Sequence, residues 1–503
     1  MTTNLRDTMA RGAAWMVLFR LVDRGVGFIS TLILARLLTP EHFGIVAMAT
    51  SFIAMLELIG AFGFDTALIQ RADATRAHYD TAWTFSVILG CTLSLLMVAT
   101  ARPLSRFYEQ PPLIYVMSAL AVGSFAQGFQ NVGTVSFRKQ MEFHKEFRFL
   151  LSKRVATFPI TIALAFVFRN YWALVGGIVT GKLVDLWLSY HFHPYRPRFD
   201  LSGTKDLLHF SKWLLVVNVL LFLRDRSPDF IIGRIAGPHS LGIFRISNEL
   251  GNMPGAELVA PINRAVYPAY VTIARDLRAL QREYLWVMSM ICLLAIPAVA
   301  GVAATATLIV PLALGQNWLS AIPVLQVIAF FGISHVMQSN AYSVCLALGR
   351  GNIFAFLNGG SVLVLIAFLI PLVRSDGALG AAYAYLTAAL IMLPIAVATI
   401  LRILKLSVTD FVRAVWRPLA ASTLMFLAVE RYSEARASTT ATSELISGML
   451  GAVCLGVVLY VAGVALFWVL SGRPDSAEAA TMRKASRVCL SVTRARRSAR
   501  KSE

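Results

Sequence analysis

Long unbroken apolar runs are the feature that most restricts what this chain can become. They fall at 12–37, 43–69, 81–101, 113–136, 149–168, 172–190, 208–235, 241–270, 284–310, 318–346, 352–373, 378–401, 411–429 and 445–471. A bilayer core offers no water to backbone N–H and C=O groups, so only helices and closed barrels cross it. Short alternating segments would mark a barrel, whereas continuous runs of about 20 residues mark helices. The sequence therefore predicts an all-α polytopic membrane protein with about 14 transmembrane helices. Composition agrees, because 57% of the 503 residues are hydrophobic. The mean hydropathy of +0.67 exceeds what a soluble core requires.

The net charge of +19 raises the question of nucleic acid, and the placement of the charge answers it. With the N-terminus on the cytoplasmic side, the inward connectors (70–80, 138–148, 191–212, 271–283, 349–352 and 402–417) hold 18 Lys and Arg, and the outward ones hold six. That bias is the positive-inside pattern of bacterial membrane proteins, and it puts both termini in the cytoplasm. The tail from Arg473 adds nine basic residues, suited to anionic lipid rather than to nucleic acid. The first run is too long and too charged for a cleaved signal and reads as a retained anchor.

A repeat organises these runs. Shifting Trp15–Ile45 by 198 residues aligns Trp15 with Trp213, Ile33 with Ile231, Arg36 with Arg234, Pro40 with Pro238, Gly44 with Gly242 and Ile45 with Ile243. A second echo links ALVGG at 173 with ALGAA at 378. Both echoes join elements six helices apart, so the halves keep one orientation and form parallel repeats about an axis along the bilayer normal. The expected organisation is an N-lobe at 1–206 (spans one to six), a C-lobe at 207–405 (spans seven to twelve), two accessory spans at 406–472 and a basic tail at 473–503. A central cavity belongs between the lobes. The Pro-containing loop 191–206 is long enough to let them rock.

Charges inside apolar runs mark candidate sites, because an ionised group at mid-bilayer is costly outside a bundle or a wet cavity. Arg20, Asp23 and Arg24 share one face of the first span, net positive, with guanidinium forks suited to phosphate oxygens. In span seven, Asn218, Asp225 and Asp229 form one stripe flanked by Arg224 and Arg226, and Pro228 is expected to break the helix there. The phosphate-binding candidates are thus Arg20, Arg24, Arg224 and Arg226. Glu57 and Asp65 lie in span two, with Arg245 and Glu249 on one face of span eight. Together with Asp23, Asn218, Asp225 and Asp229 they are cavity or coupling candidates, since a carboxylate exchanging a proton or a cation can drive alternation. Pro254, Pro261 and Pro268 are expected to bend and partly rewind span eight. His335, Gln338 and Asn340 offer hydrogen bonds either to a polar ligand or between helices.

The segment DFIIGRIAGPHSLG at 229–242, its counterpart ARLLTPEHFG, and Leu348-Gly349-Arg350 resemble polysaccharide transporters of the multidrug/oligosaccharidyl-lipid/polysaccharide exporter superfamily, over roughly residues 8 to 405. The resemblance implies a bacterial inner-membrane flippase. Its substrate would be an undecaprenyl-diphosphate-linked oligosaccharide, moved from the cytoplasmic to the periplasmic leaflet for exopolysaccharide, capsule or O-antigen assembly. Membrane lipids, a polysaccharide polymerase and a co-polymerase are the implied partners. Related lipid II flippases also carry two extra C-terminal helices, which suits spans thirteen and fourteen.

Other chemistry finds little support. Gly176-Gly177-Ile-Val-Thr-Gly181-Lys182 fits the start of a phosphate-binding loop, but Leu183 follows and no soluble strand precedes it. These glycines read better as close helix contacts, with Lys182 and Asp185 as an i, i+3 pair. No nucleophile and base coincide, and no spacing of Cys or His holds a metal. The expectation is a non-enzyme without cofactor. Two rival readings remain, a drug-cation exporter of the same superfamily and a non-transporting envelope scaffold acting through its basic tail.

Overall fold

Helices begin where the sequence supplies caps. Thr39 is extended (φ −88°, ψ 161°) ahead of Pro40 at the first helical position, and its N–H donates to His42 Nδ1 at 3.3 Å. Thr75 and His78 repeat the device at 3.0 Å. The computed structural model describes residues 2–58, 67–69, 71, 73–204, 212–436, 441–473 and 478. In order they form α1 (Thr2–Leu37), α2 (Pro40–Glu57), α3 (Arg76–Tyr108), α4 (Pro112–Gly128), α5 (Val135–Lys139), α6 (Phe143–Phe168), α7 (Tyr171–Phe192), α8 (Lys212–Ile273), α9 (Leu277–Ala304), α10 (Ala306–Ile309), α11 (Ala321–Ala347), α12 (Gly351–Leu404), α13 (Val408–Glu434) and α14 (Thr442–Leu470). Among the described residues there is no strand. Eight of these helices are long and apolar enough to cross a membrane, or nine if Pro112–Gly128 and Val132–Lys139, bent by 63°, make one span.

Two of the helices are each interrupted by a kink. Helical dihedrals persist through α8 except at Gly237 (φ 77°, ψ 179°), where a positive φ that glycine adopts without strain turns the chain. The break expected at Pro228 is therefore absent, and so is the rewinding expected around Pro254, Pro261 and Pro268. A proline removes one backbone hydrogen bond, and helices at membrane depth absorb that loss through their neighbours. The corresponding turn in α12 lies at Asp376 and Gly377.

The chain divides into two compact units, Met1–Ile243 and Phe244–Glu503. In unit 1, α3 packs on α4, α6 on α7, α1 on α6 and α4 on α7. Small residues set these approaches. Gly90 on α3 meets Gly128 on α4, while Gly176 and Gly177 on α7 sit against Leu164 and Thr161 of α6. The glycines of the apparent phosphate loop thus serve helix packing. Within the same unit, a Cβ on Gly44 would overlap the backbone of Pro238, and one on Gly242 would overlap the backbone of Pro40. These contacts pair the 198-residue equivalents crosswise.

Unit 2 is built on apolar interdigitation. Met288, Ile291, Cys292, Ala295 and Ile296 of α9 are fully buried, packed with Val336 of α11 and Phe411 and Val415 of α13. Of the helices expected to be accessory, α13 packs into this core, and Tyr460 Oη of α14 donates to Leu293 O of α9 at 2.6 Å. Asn340 is buried and accepts from Tyr270 Oη at 3.0 Å, and Gln338 donates to Ser334 Oγ at 2.9 Å. Asn340 is thus an interhelical tie. Of the tail beyond Arg473 only Glu478 is described, and it is buried on Arg417 of α13 at 3.0 Å. At that position the carboxylate meets an arginine of α13 rather than anionic lipid.

Candidate functional site

The intramembrane charges of unit 1 fall into three groups. The first surrounds α1. Arg20 and Arg24 are exposed, while Asp23 is engaged by Arg154 of α6, whose Nε lies 3.2 Å from Asp23 Oδ1 and whose Nη2 donates to Asp23 O at 3.2 Å. The guanidinium rests on Gly27, where a Cβ would come within 2.7 Å of Nη2. Three arginines against one aspartate leave the group net positive. Arg154 is not legible as a site in the sequence because it lies five residues inside the run 149–168, where a basic side chain can equally snorkel to the membrane surface. The dipeptide Lys153-Arg154 is the available signal.

The second group lies on α8 and α2. Asp229 is 2% exposed and accepts from Ser51 Oγ of α2 at 2.6 Å, with Arg226 Nη1 3.9 Å away. Arg224 and Asp225 pair with each other at 2.8 Å on an exposed flank. The expected stripe is thus divided, with Asp229 turned inward and Asp225 outward. The side chain of Asn218 lies outside the described residues. Arg234, the repeat equivalent of Arg36, reaches Glu109 at 3.0 Å.

The third group joins α2, α3, α4, α6 and α7. Glu57 lines a cavity of about 360 Å³ with Ser86, Ser124, Gln127 and Gln130. Lys182 Nζ donates to Ser124 Oγ at 3.2 Å and lies within electrostatic reach of Glu57. Asp185 accepts from Gln130 Nε2 at 2.9 Å and pairs with Lys153. The expected Lys182–Asp185 pair is therefore not formed, because facing helices offer each residue a partner. Asp65 lies outside the described residues. In unit 2, Arg245 is half-buried and Glu249 exposed on one face of α8. Also in unit 2, α9, α13 and α14 enclose an apolar groove of about 400 Å³, lined by Leu294, Pro297, Met425, Met449 and Tyr460 among others.

The loop expected to let the lobes rock is docked over most of its length. Asn131, at the break after α4, donates Nδ2 to His193 O at 3.2 Å and to Tyr195 O at 2.8 Å. Asp80 of α3 accepts from Tyr195 Oη at 2.5 Å and from Arg198 N at 2.8 Å. Thr84 and Thr81 then accept from Asp200 N and Gly203 N at 3.0 and 3.1 Å. Burial, and then the hydrogen bond to Asp80, pushes the Tyr195 phenol up, while burial and nearby Lys145 lower the His193 imidazole. Residues 193–204 thus form a strap on unit 1. Asp80, Thr81 and Thr84, spaced along one face of α3, are what hold it.

A family model described as polysaccharide biosynthesis protein matches residues 33–323. The Escherichia coli (strain K12) lipopolysaccharide biosynthesis protein WzxC is 24% identical over 428 residues, covering 82% of this chain and 85% of its own length. The Bacillus subtilis (strain 168) teichuronic acid biosynthesis protein TuaB is 23% identical over 451 residues, covering 88% of this chain and 93% of its own. The lipid II flippase MurJ, in an inward closed conformation, shares the fold with a TM-score of 0.70 at 13% identity, over 90% of this chain and 99% of that one.

Proposed function

Because the chain belongs to the polysaccharide biosynthesis protein family, within the multidrug/oligosaccharidyl-lipid/polysaccharide exporter superfamily, we propose that it is a flippase for lipid-linked oligosaccharide. It carries an undecaprenyl-diphosphate-linked repeat unit from the cytoplasmic to the periplasmic leaflet of a bacterial inner membrane. The machine has 14 spans and both termini in the cytoplasm, with lobes at 1–206 and 207–405 alternating around a central cavity. The crosswise Gly44/Pro238 and Gly242/Pro40 contacts support the duplication. Relatives named for lipopolysaccharide and teichuronic acid biosynthesis support the substrate class.

The observation that carries the reading is the positive cluster of Arg20, Arg24 and Arg154 around Asp23. Its sign suits a diphosphate and opposes the organic cations that a drug exporter would hold. Asp23 orients Arg154, and the arginines present forked donors to phosphate oxygens. The apolar groove of unit 2 suits an isoprenoid chain. Glu57 is the coupling candidate, with Lys182 as the cation that answers its charge. The reaction breaks no covalent bond, so the chain acts as a transporter and not as an enzyme.

The test is export of polysaccharide in a deletion strain carrying the variants at normal protein level. A charge-assisted hydrogen bond is worth about 1.5–3 kcal/mol, roughly a 10- to 100-fold effect. Arg154→Ala and the double variant Arg20→Ala/Arg24→Ala should each lower export by that much, and Arg154→Lys should recover only part of it. Undiminished export in both would remove the phosphate assignment. Glu57→Gln tests coupling, where unchanged dependence on proton and sodium gradients would rule that residue out.

A further inference from the structure

Unit 1 holds a second pocket that none of the transport residues line. It measures about 670 Å³ and opens where α3 begins, between that helix, α5 with the start of α6, and the strap at His193–Tyr195. The 63° bend after α4 creates it by turning Val132–Lys139 across the end of α3. Three cations face it, Arg76, Lys139 and Lys145, against the single carboxylate of Glu142. None of these cations is used up by its neighbours. Lys139 gives one of its three N–H groups to Arg71 O at 2.7 Å, and Lys145 shares Glu142 at 2.7 Å. Arg76 gives one N–H of Nη2 to Arg196 O at 3.3 Å and stands 3.6 Å from Asp80, a carboxylate already accepting from Tyr195 and Arg198. The amino end of the 33-residue helix α3 opens into the same space, which adds to the positive potential.

The walls are not only cationic. Tyr79 and Tyr195, with ring centroids 5.8 Å apart, give the pocket an aromatic side, and Gln140 supplies an amide. The volume far exceeds one phosphate and lies within the range of about 300–1,000 Å³ typical of small-molecule sites. A net-positive pocket with an aromatic wall matches a phosphoryl group attached to a hydroxylated carbon skeleton. Cations take the phosphate oxygens, and tyrosine faces cover the C–H face of the sugar or polyol.

We infer that this pocket binds a sugar-phosphate or polyol-phosphate group, at a site separate from the arginines of α1. Such a group reaches it either on a membrane lipid or in free solution. The assignment does not depend on transport, so it can fail while the flippase reading stands, and the reverse.

The experiment titrates the purified full chain with glucose 1-phosphate and with inorganic phosphate, following heat of binding. Glucose 1-phosphate should bind at least tenfold more tightly than inorganic phosphate. Arg76→Gln/Lys145→Gln should weaken both ligands at least tenfold, and because both side chains are about half exposed the variant should keep the parent's melting temperature. Tyr79→Leu should weaken glucose 1-phosphate alone. Arg20→Ala/Arg24→Ala should leave the tenfold preference for glucose 1-phosphate intact. A preference that survives Arg76→Gln/Lys145→Gln, or that disappears in Arg20→Ala/Arg24→Ala, overturns the inference. Repeating the titration in phosphatidylcholine nanodiscs with and without phosphatidylglycerol identifies the source. Competition by the anionic lipid supports a membrane head group, and its absence supports a soluble sugar phosphate.

Discussion

Helices α6 and α9 are both long, apolar and of nearly equal length, yet their surroundings could hardly differ more. Of the spanning residues 6% are buried in α6 and 67% in α9. Helix α9 is held by interdigitated side chains from α11 and α13. Helix α6 is held by Arg154 on Asp23, Lys153 on Asp185 and glycine contacts with α7. In lipid there is little hydrophobic drive between helices, so close packing and polar ties are the two available means of attachment. Helix α9 relies chiefly on the first and α6 on both. The charges proposed to meet a diphosphate are therefore also what fixes the thinly covered helix in place.

The largest expected effect tests that contrast directly. Ile291→Ala empties a fully buried position on α9 and should destabilise by about 2–5 kcal/mol. Val155→Ala on α6 removes a side chain that is 62% exposed and should stay within about 0.5 kcal/mol. Unfolding titrated with sodium dodecyl sulfate in mixed micelles measures both. Equal losses would mean that α6 is covered as tightly as α9, and the comparison would collapse.

A smaller effect sharpens it from inside unit 1. Gly44→Ala and Gly242→Ala each drive a Cβ into a proline carbonyl, so the backbone must shift, at about 1–3 kcal/mol. The crosswise geometry requires the two losses to be alike and the double variant to cost less than their sum, because the sites are coupled. Gly25→Ala, with nothing within 4 Å, is the control and should cost nothing. Markedly unequal losses would separate the sequence echo from the structural one.

Much of the helical order was legible, because run length, the Thr-Pro turn and the recurring glycines act locally or at a fixed offset. The charged face of α1 was legible for the same reason, since Arg20, Asp23 and Arg24 lie within two turns. What escaped were partners distant in sequence. Arg154 is 131 residues from Asp23, Ser51 is 178 from Asp229, and Tyr195 is 115 from Asp80. No periodicity encodes such pairings. Local patterns also misled where a neighbour along the helix looked like the partner, as with Lys182 and Asp185. Pro228 misled differently, because sequence registers the missing N–H but not the surroundings that tolerate it.

The smallest effect concerns the strap. His193 Nδ1 lies 3.2 Å from Tyr195 N, and Nε2 lies 3.0 Å from Ser136 Oγ. The backbone N–H can only donate, so Nδ1 must accept, and the ring is neutral with its proton on Nε2. Protonation would turn Nδ1 into a donor facing another donor. Burial and Lys145 lower the imidazole, Arg196 adds to this, and Glu142 opposes it. Its folded pKa therefore lies below the ordinary 6.5, and the stabilisation it gives is present above that value and fades as pH falls through the folded pKa. Amide exchange across 193–204, corrected for intrinsic rates, should accelerate several-fold between pH 7.5 and pH 5, while α9 amides serve as the unchanged reference. His193→Gln should abolish the pH difference. Protection that is equal at both pH values in the parent chain would show that Asp80, Thr81, Thr84 and Asn131 hold the strap without the imidazole.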